Sequence, residues 1–302
     1  MAAEPNAIAL PAVETPLRRF CRDFVESRIA LFGLAMFAVI LVAAVFAPLL
    51  SPQNPYDLNQ LDIMDGRQPP MTRSMEGFTF WLGSDDQGRD MLSAIFHGLR
   101  TSLGVGAMSA LGALTLGAAA GLVAAYFGGR IETLIMRVVD IQLSFPSILV
   151  ALILLAVLGQ GTWKIVVALI CVQWAYYART VRGTALVERR KEYVEAARCL
   201  GLGHRRIVFR HILPNCMPPL IVVVTVQVAH AIALEATLSF LGIGLPITEP
   251  SLGLLIANGF EYLLSGKYWI SFFPGIALLA TIVSINLVGD QLRDVLNPRL
   301  QK

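Results

Sequence analysis

The sequence predicts an all-α integral membrane protein with six transmembrane helices, a basic cytoplasmic loop and a small external cap segment. Three observations predict it. Of 302 residues, 56% are apolar and only 15% are Asp, Glu, Lys or Arg, against about 25% charged in soluble domains, and mean hydropathy is +0.65. Six apolar runs recur along the chain, most near the roughly 20 residues that a helix needs to cross a 30 Å hydrocarbon core. The segments between them carry opposite charge bias on alternate sides. This composition excludes a disordered chain, a collagen-like chain and a disulfide-stapled secreted domain. The four cysteines (Cys21, Cys171, Cys199, Cys216) contain no CxxC, and the histidines are scattered, so neither a disulfide framework nor a metal site is expected.

The elements follow in order. A tail over residues 1–28 leads into a first span, Ile29 to Leu50, stopped by Pro48 and Ser51-Pro52. Its apolar run exceeds the 7–15 residues of a signal peptide, so it is expected to remain as an anchor. Residues 51–98, rich in proline and in Gly-Ser-Asp-Asp turn residues, form the external segment, with a short amphipathic helix from Asp90 to Arg100. A five-helix core over 99–290 then holds Thr101 to Gly129, Ile141 to Trp163, Ile165 to Ala178, Pro218 to Leu241 and Tyr268 to Gly289. The run from Ile165 is short; it crosses if Lys164 and Arg179 snorkel and its ends extend. A C-terminal tail covers 291–302.

Loop charge sets orientation through the excess of Lys and Arg on the cytoplasmic side. Arg18, Arg19, Arg22 and Arg28 precede the first span. Residues 178–214 hold nine basic residues against three acids, whereas 51–98 hold three arginines against seven acids. Six spans with both termini cytoplasmic satisfy all three biases. The basic loop has few aromatics and mixes acids among its cations, so nucleic acid is not the partner it suits.

Within that loop, Glu188 to Leu200 combines helix formers with apolar residues at helical spacing. Gly201-Leu202-Gly203 reads as a stop, since glycine accepts the left-handed conformation at a helix end. His204 to Leu213 reads as a second short helix ended by Pro214. Small residues Gly106, Ala110, Ala113, Gly117 and Gly121 line one face of the second span, where they permit close helix approach; they pack within the chain or against a second subunit. Ionisable groups in spans are costly. Asp140 lies three residues after Arg137, a spacing for a structural ion pair. Glu235 is either a structural hydrogen-bonding group or a pore liner, with Gln227 and His230 as further pore-lining candidates.

Glu195-Ala196-Ala197, three residues, Gly201 and then Ile212-Leu213-Pro214 resembles the EAA loop of binding-protein-dependent ABC importer permeases. Trp81-Leu82-Gly83-Ser84-Asp85-Asp86-Gln87-Gly88-Arg89-Asp90 is similar to a signature of the C-type permeases in the dipeptide, oligopeptide and nickel branch. So are Tyr126 to Gly129, Met136 to Asp140 with Phe145-Pro146-Ser147, Leu238 to Gly244 and Asn286 to Asp294. One stretch departs from the branch: Leu252 stands where its Pro-Ser-Trp-Gly element has tryptophan. The resemblance implies a non-catalytic permease forming half of a translocation pathway for di- or oligopeptides in a bacterial inner membrane. It implies a homologous second permease, two ABC ATPases and an external solute-binding protein as partners, besides membrane lipid. Glu195, Ala196, Ala197, Gly201, Gly203, Ile212, Leu213 and Pro214 are its ATPase-coupling residues. No phosphate-binding glycine loop occurs, so this chain is expected to bind no cofactor, with ATP and Mg held by the ATPases. Nickel chelates, opines and other peptide-like solutes are alternative cargoes. An ion-coupled secondary transporter, which needs no ATPase-docking loop, is the alternative from another class.

Overall fold

The computed structural model describes residues 16–296, so the extreme parts of both tails lie outside the described residues. A short helix α1 (Pro16–Val25) precedes α2 (Arg28–Val45), whose first turn is capped by Ser27 Oγ accepting from the Ala30 N–H at 3.3 Å. The expected first span is interrupted at Phe46, and one further turn, α3 (Ala47–Leu50), carries Pro48 where a missing N–H costs nothing. Helix α2 is built inside-out. Ala30, Gly33 and Ala44 are buried while Phe32, Val39 and Val42 point outward. In lipid the large apolar groups need no shelter, and small residues bring backbones together. A Cβ on Gly33 would stand 2.7 Å from Leu287 Cβ.

Residues 51–90 form the cap, with two 3-10 turns and a two-stranded antiparallel ribbon, β1 (Thr72–Arg73) and β2 (Thr79–Phe80). From it rises α4 (Met91–Phe127), 37 residues long. The amphipathic segment at 90–100 and the second span are therefore one continuous helix. At 1.5 Å per residue it measures about 55 Å and overshoots a ~30 Å core. It sits at the centre of the bundle. Gly106 abuts α10 (Leu213–Phe240), where a Cβ would lie 2.7 Å from Ile232 Cγ1, and on α7 (Thr162–Glu188) Gly117 abuts Trp174 O and Tyr177 Cβ while Gly121 abuts Ala178 O and Val181 Cβ. The small-residue face thus packs within the chain.

Downstream, the expected third span is not one helix. α5 (Gly129–Ser144) and α6 (Ser147–Leu158) meet at 94°. Pro146 at the corner cannot donate and forces Phe145 out of the helical region (ψ 143°). α7 (Thr162–Glu188) is longer than the 14-residue run suggested and carries Arg179 and Arg182 on helix rather than loop. A turn at 189–191 breaks the expected helix from Glu188, leaving α8 (Glu192–Cys199).

α9 (His204–Ile207), a π-helical turn (Val208–Ile212) and α10 (Leu213–Phe240) then run on as one 37-residue helix. Pro214 does not end it. The π turn shifts the ladder, with the Leu213 N–H donating to Val208 O, and Pro214 falls in the first turn of α10. Asn215 Nδ2 donates to His211 O at 2.7 Å, filling a carbonyl in the disrupted turn. α11 (Leu252–Phe260) and α12 (Trp269–Leu296) complete the chain. Among the described residues four helices qualify as membrane crossings by length and apolar composition, and five with the bent α5–α6 pair.

The bundle has two recognisable ends. Residues 51–90, α11 and the cap-side ends of α2, α4 and α10 share one, where Ala44, Ala94, Ile95, Leu252 and Leu255 form a cluster. Leu252 is fully buried there, in contact range of Gly98, so its departure from the branch pattern is a packing change. At the other, the loop end, Val194, Ala197, Ile207 and Ile212 pack with Leu122, Tyr126, Tyr177 and Ala185. Phe24, Ala30 and Val295 place both ends of the described chain there as well.

Candidate functional site

The loop at 189–212 is assembled from an amphipathic pattern. Val194 and Ala197 on α8 face the bundle, while Glu195, Ala196 and Leu200 face out, Leu200 at 78% exposure. Gly201 takes φ 71°. Its N–H reaches Arg198 O at 2.9 Å and the Leu202 N–H reaches Ala197 O at 3.2 Å, the paired bonds of a glycine-terminated helix end. Gly203, by contrast, sits at an ordinary φ of −63°. Ile212 is buried in the cluster beneath, and Leu213 and Pro214 begin α10.

Three side-chain links fasten this loop to three different helices. Glu188, at the end of α7, accepts from Lys191 Nζ at 2.7 Å and from the Tyr193 hydroxyl at 2.6 Å. Burial, reinforced by the bond to Glu188, pushes the Tyr193 hydroxyl up to about 12, so it stays a donor at neutral pH. Asn215 on α10 donates to the same hydroxyl at 3.2 Å. At the far side, the Tyr126 hydroxyl on α4 meets His204 Nδ1 at 2.5 Å. The loop is therefore a rigid extension of α4, α7 and α10. Sequence reasoning missed Tyr126, Glu188, Tyr193, His204 and Asn215. Their only available signal was polar character beside apolar helix ends, because the partners lie up to 78 residues apart.

Three arginines of the basic segment, Arg179, Arg182 and Arg189, have polar partners within the fold. Arg182 binds Glu132, with Nε at 2.9 Å from Oε1, and Arg189 donates to Ala125 O at 2.8 Å. Asp140 pairs with Arg179 across α5 and α7, not with Arg137 as expected; Arg137 is exposed and forms no ion pair among the described residues. On a helix Arg137 and Asp140 are neighbours, but α7 brings a second guanidinium directly onto the carboxylate.

Of the two readings open for Glu235, the geometry matches the structural hydrogen-bonding one. This residue is fully buried inside the chain, where Oε2 accepts from Ser102 Oγ at 2.8 Å and Oε1 from Ser239 Oγ at 2.9 Å and Ser251 Oγ at 2.7 Å. It ties α4, α10 and the N-cap of α11 together. His230 is half-buried. Gln227 borders a cavity of about 410 Å³ lined also by Leu143, Tyr176, Arg179, Thr180 and Val223. Its backbone carbonyl accepts from Gln173 Nε2 at 3.2 Å, and the side-chain oxygens of both glutamines are buried without a partner.

At the cap end, the Trp81–Asp90 block is a fold-forming turn. Asp90 Oδ2 caps α4 by accepting from Ser93 N at 2.8 Å, and Ser84 Oγ donates to Asp65 O at 2.5 Å while Gln68 N donates to it at 2.7 Å. Gly83, at φ 85°, lies under the Trp269 indole, whose Nε1 donates to Ser84 O at 3.1 Å. Arg89 is buried over the Tyr56 ring at 4.9 Å and 3.9 Å from Asp85 Oδ2. Among the described residues no group of three His, Cys, Asp or Glu side chains converges as a metal site.

A bundle of long apolar helices with a rigid, outward-facing, glycine-terminated loop at one end defines a membrane component of a multi-subunit transporter. The chain belongs to the family of binding-protein-dependent transport system inner membrane components, which matches residues 113–302, and residues 15–70 match the N-terminal transmembrane domain of oligopeptide transport permease C. It is 38% identical over 299 residues to the dipeptide transport system permease protein DppC of Escherichia coli, covering 99% of this chain and 98% of that one. To the di/tripeptide transport system permease protein DppC of Pseudomonas aeruginosa it is 37% identical over 287 residues, 95% and 93% of the two chains. In fold it is similar to a chain of the MetNI methionine ABC transporter in an inward-facing conformation, with a TM-score of 0.56, 19% identity and coverage of 68% of this chain and 98% of that one.

Proposed function

We propose that this chain is one of two homologous permease subunits of an ABC importer for di- or oligopeptides in a bacterial inner membrane. Two ATPases, which hold ATP and Mg, power it, and an external solute-binding protein delivers cargo. The observation that carries the reading is the loop: an exposed face at Glu195, Ala196 and Leu200 within a loop segment that is bonded to α7 and α10 through Tyr193 and to α4 through His204. A docked ATPase that moves this loop moves three helices with it, which is what rigid-body alternating access requires. Glu195, Ala196, Gly201 and Gly203 form the seat, Ala197 packs it onto the bundle, and Ile212, Leu213 and Pro214 join it to α10. An ion-coupled carrier has no use for such a face, and Glu235, a carboxylate deep in the bundle, is consumed by three serines. The peptide assignment rests on the named relatives.

In this reading the chain crosses the membrane six times, through α2, α4, the bent α5–α6 pair, α7, α10 and α12, with both termini and the loop cytoplasmic. Gln227 lines the pathway at the cavity between α5, α7 and α10. ATP hydrolysis by the complex in nanodiscs, measured with its binding protein and a panel of peptides and metal chelates, tests the proposal. Stimulation by peptide-loaded binding protein is the expected result. Stimulation only by a chelate would move the cargo to the nickel side of the family, and absence of any associated ATPase would overturn the reading.

A further inference from the structure

We propose that an anionic phospholipid occupies a specific groove between α4 and α9–α10 at the loop end, its acyl chain in an apolar trough and its phosphate against a cluster of arginines. The trough has a volume of about 490 Å³ and is lined by Leu114, Ala118, Leu122, Val208 and Met217 among others, with Arg205 and His204 at its mouth. From Leu114 to Phe127 it extends about 20 Å along α4, at 1.5 Å per residue, comparable to the ~15 Å depth of one leaflet's hydrocarbon. Its lips are open: Val123, Phe127, Phe209 and Met217 are all exposed.

A second cavity of about 400 Å³ continues from this mouth, sharing Tyr126, Phe127 and His204 with it and adding Arg189 and Arg198. No carboxylate lines either cavity. Arg198 lies over the Tyr126 ring at 5.8 Å, and among the described residues neither it nor Arg205 forms an ion pair, in contrast to Arg179 and Arg182. Two acids of the loop end are committed elsewhere, Glu132 to Arg182 and Glu188 to Lys191 and Tyr193. Unpaired guanidiniums at a membrane boundary, continuous with a single apolar trough, complement one molecule carrying a negative head and a hydrocarbon tail. Zwitterionic lipid supplies the tail without net charge, and a soluble anion supplies the charge without the tail. Such a lipid would bridge α4 to the root of the coupling loop.

Native mass spectrometry of the complex released from nanodiscs containing equal phosphatidylglycerol and phosphatidylcholine tests this. The expected result is one retained phosphatidylglycerol per copy of this chain, in excess over phosphatidylcholine. Retention should fall roughly tenfold in the double variant Arg198→Gln, Arg205→Gln. It should also fall in Ala119→Trp, where an exposed trough residue becomes a plug without touching the buried core. Equal retention of the two lipids, or retention unchanged in both variants, overturns the proposal. So does efficient cross-linking of Ala119→Cys to the second permease, which would make the trough a subunit interface.

Discussion

Glu235 shows how an acid deep in a membrane bundle becomes structural. Three hydroxyls donate to its two oxygens, and each comes from a different part of the fold. Glu235→Ala leaves three buried serines without their acceptor and opens a cavity, a loss on the order of 3 kcal/mol. The melting temperature of the purified complex should drop by several degrees, and Glu235→Gln, which keeps volume and one acceptor, should drop less. An Ala variant that melts like the parent would show that the knot contributes nothing. At the cap end Asp85 has a different balance. Burial pushes its carboxyl up to about 6, against opposing hydrogen bonds from the Arg89 and Gln87 amides, and its Oδ2 has no hydrogen-bond donor. Because the folded-state value lies above the unfolded one, the folded cap takes up a proton first, and stability falls as pH rises from about 4 to 6. Hydrogen exchange in residues 60–90 should therefore slow when pH drops from 7 to 5, after correction for intrinsic rates, by an opening free energy of about 1 kcal/mol. Asp85→Asn should abolish that dependence.

Among the elements, the loop at 189–212 separates two glycines that look alike in sequence. Gly201 sits at φ 71°, with open space where a side chain would go, so only the backbone restricts it. Gly201→Val costs about 1–2 kcal/mol locally, whereas Gly201→Asn fits the left-handed region and Gly203→Ala meets an ordinary φ. Stimulated ATP turnover should fall severalfold in the Val variant and stay near parental in the other two, with membrane insertion equal in all three. Equal turnover in the Val variant would remove the helix end from the coupling mechanism. The π turn at 208–212 and the corner at Pro146 follow the same logic. Each absorbs a proline, the first by shifting the hydrogen-bond ladder, the second by abandoning it.

For the whole molecule, the decisive expectation concerns sidedness. Leu200 on the loop and Leu264 at the cap end are both strongly exposed. In a background lacking the four native cysteines, Leu200→Cys should react with an impermeant maleimide only in inverted vesicles, and Leu264→Cys only in right-side-out ones. Reaction of both from one side would break the six-crossing scheme. The central position of α4 suits that scheme, because Gly106, Gly117 and Gly121 let α7 and α10 approach it to backbone contact. Helix association in lipid depends on such contacts, since lipid tails solvate large apolar side chains as well as the protein does.

The apolar runs, the opposed charge of the 51–98 and 178–214 segments and the left-handed Gly201 were legible in the amino-acid sequence alone. Each depends on residues near one another in the chain, through helix length, topogenic charge and backbone sterics. The family blocks were legible as well, though not what they do: Trp81–Asp90 turned out to be a turn that caps α4 and seats Trp269. Tertiary structure alone decided that Asp140 takes Arg179 rather than Arg137, that Glu235 belongs to three serines, and that Tyr126 holds His204. Those outcomes depend on which helix faces arrive together. Hydrogen bonds and ion pairs act over about 3 Å, so partners separated by 39 to 133 residues are chosen by packing and cannot be read from spacing.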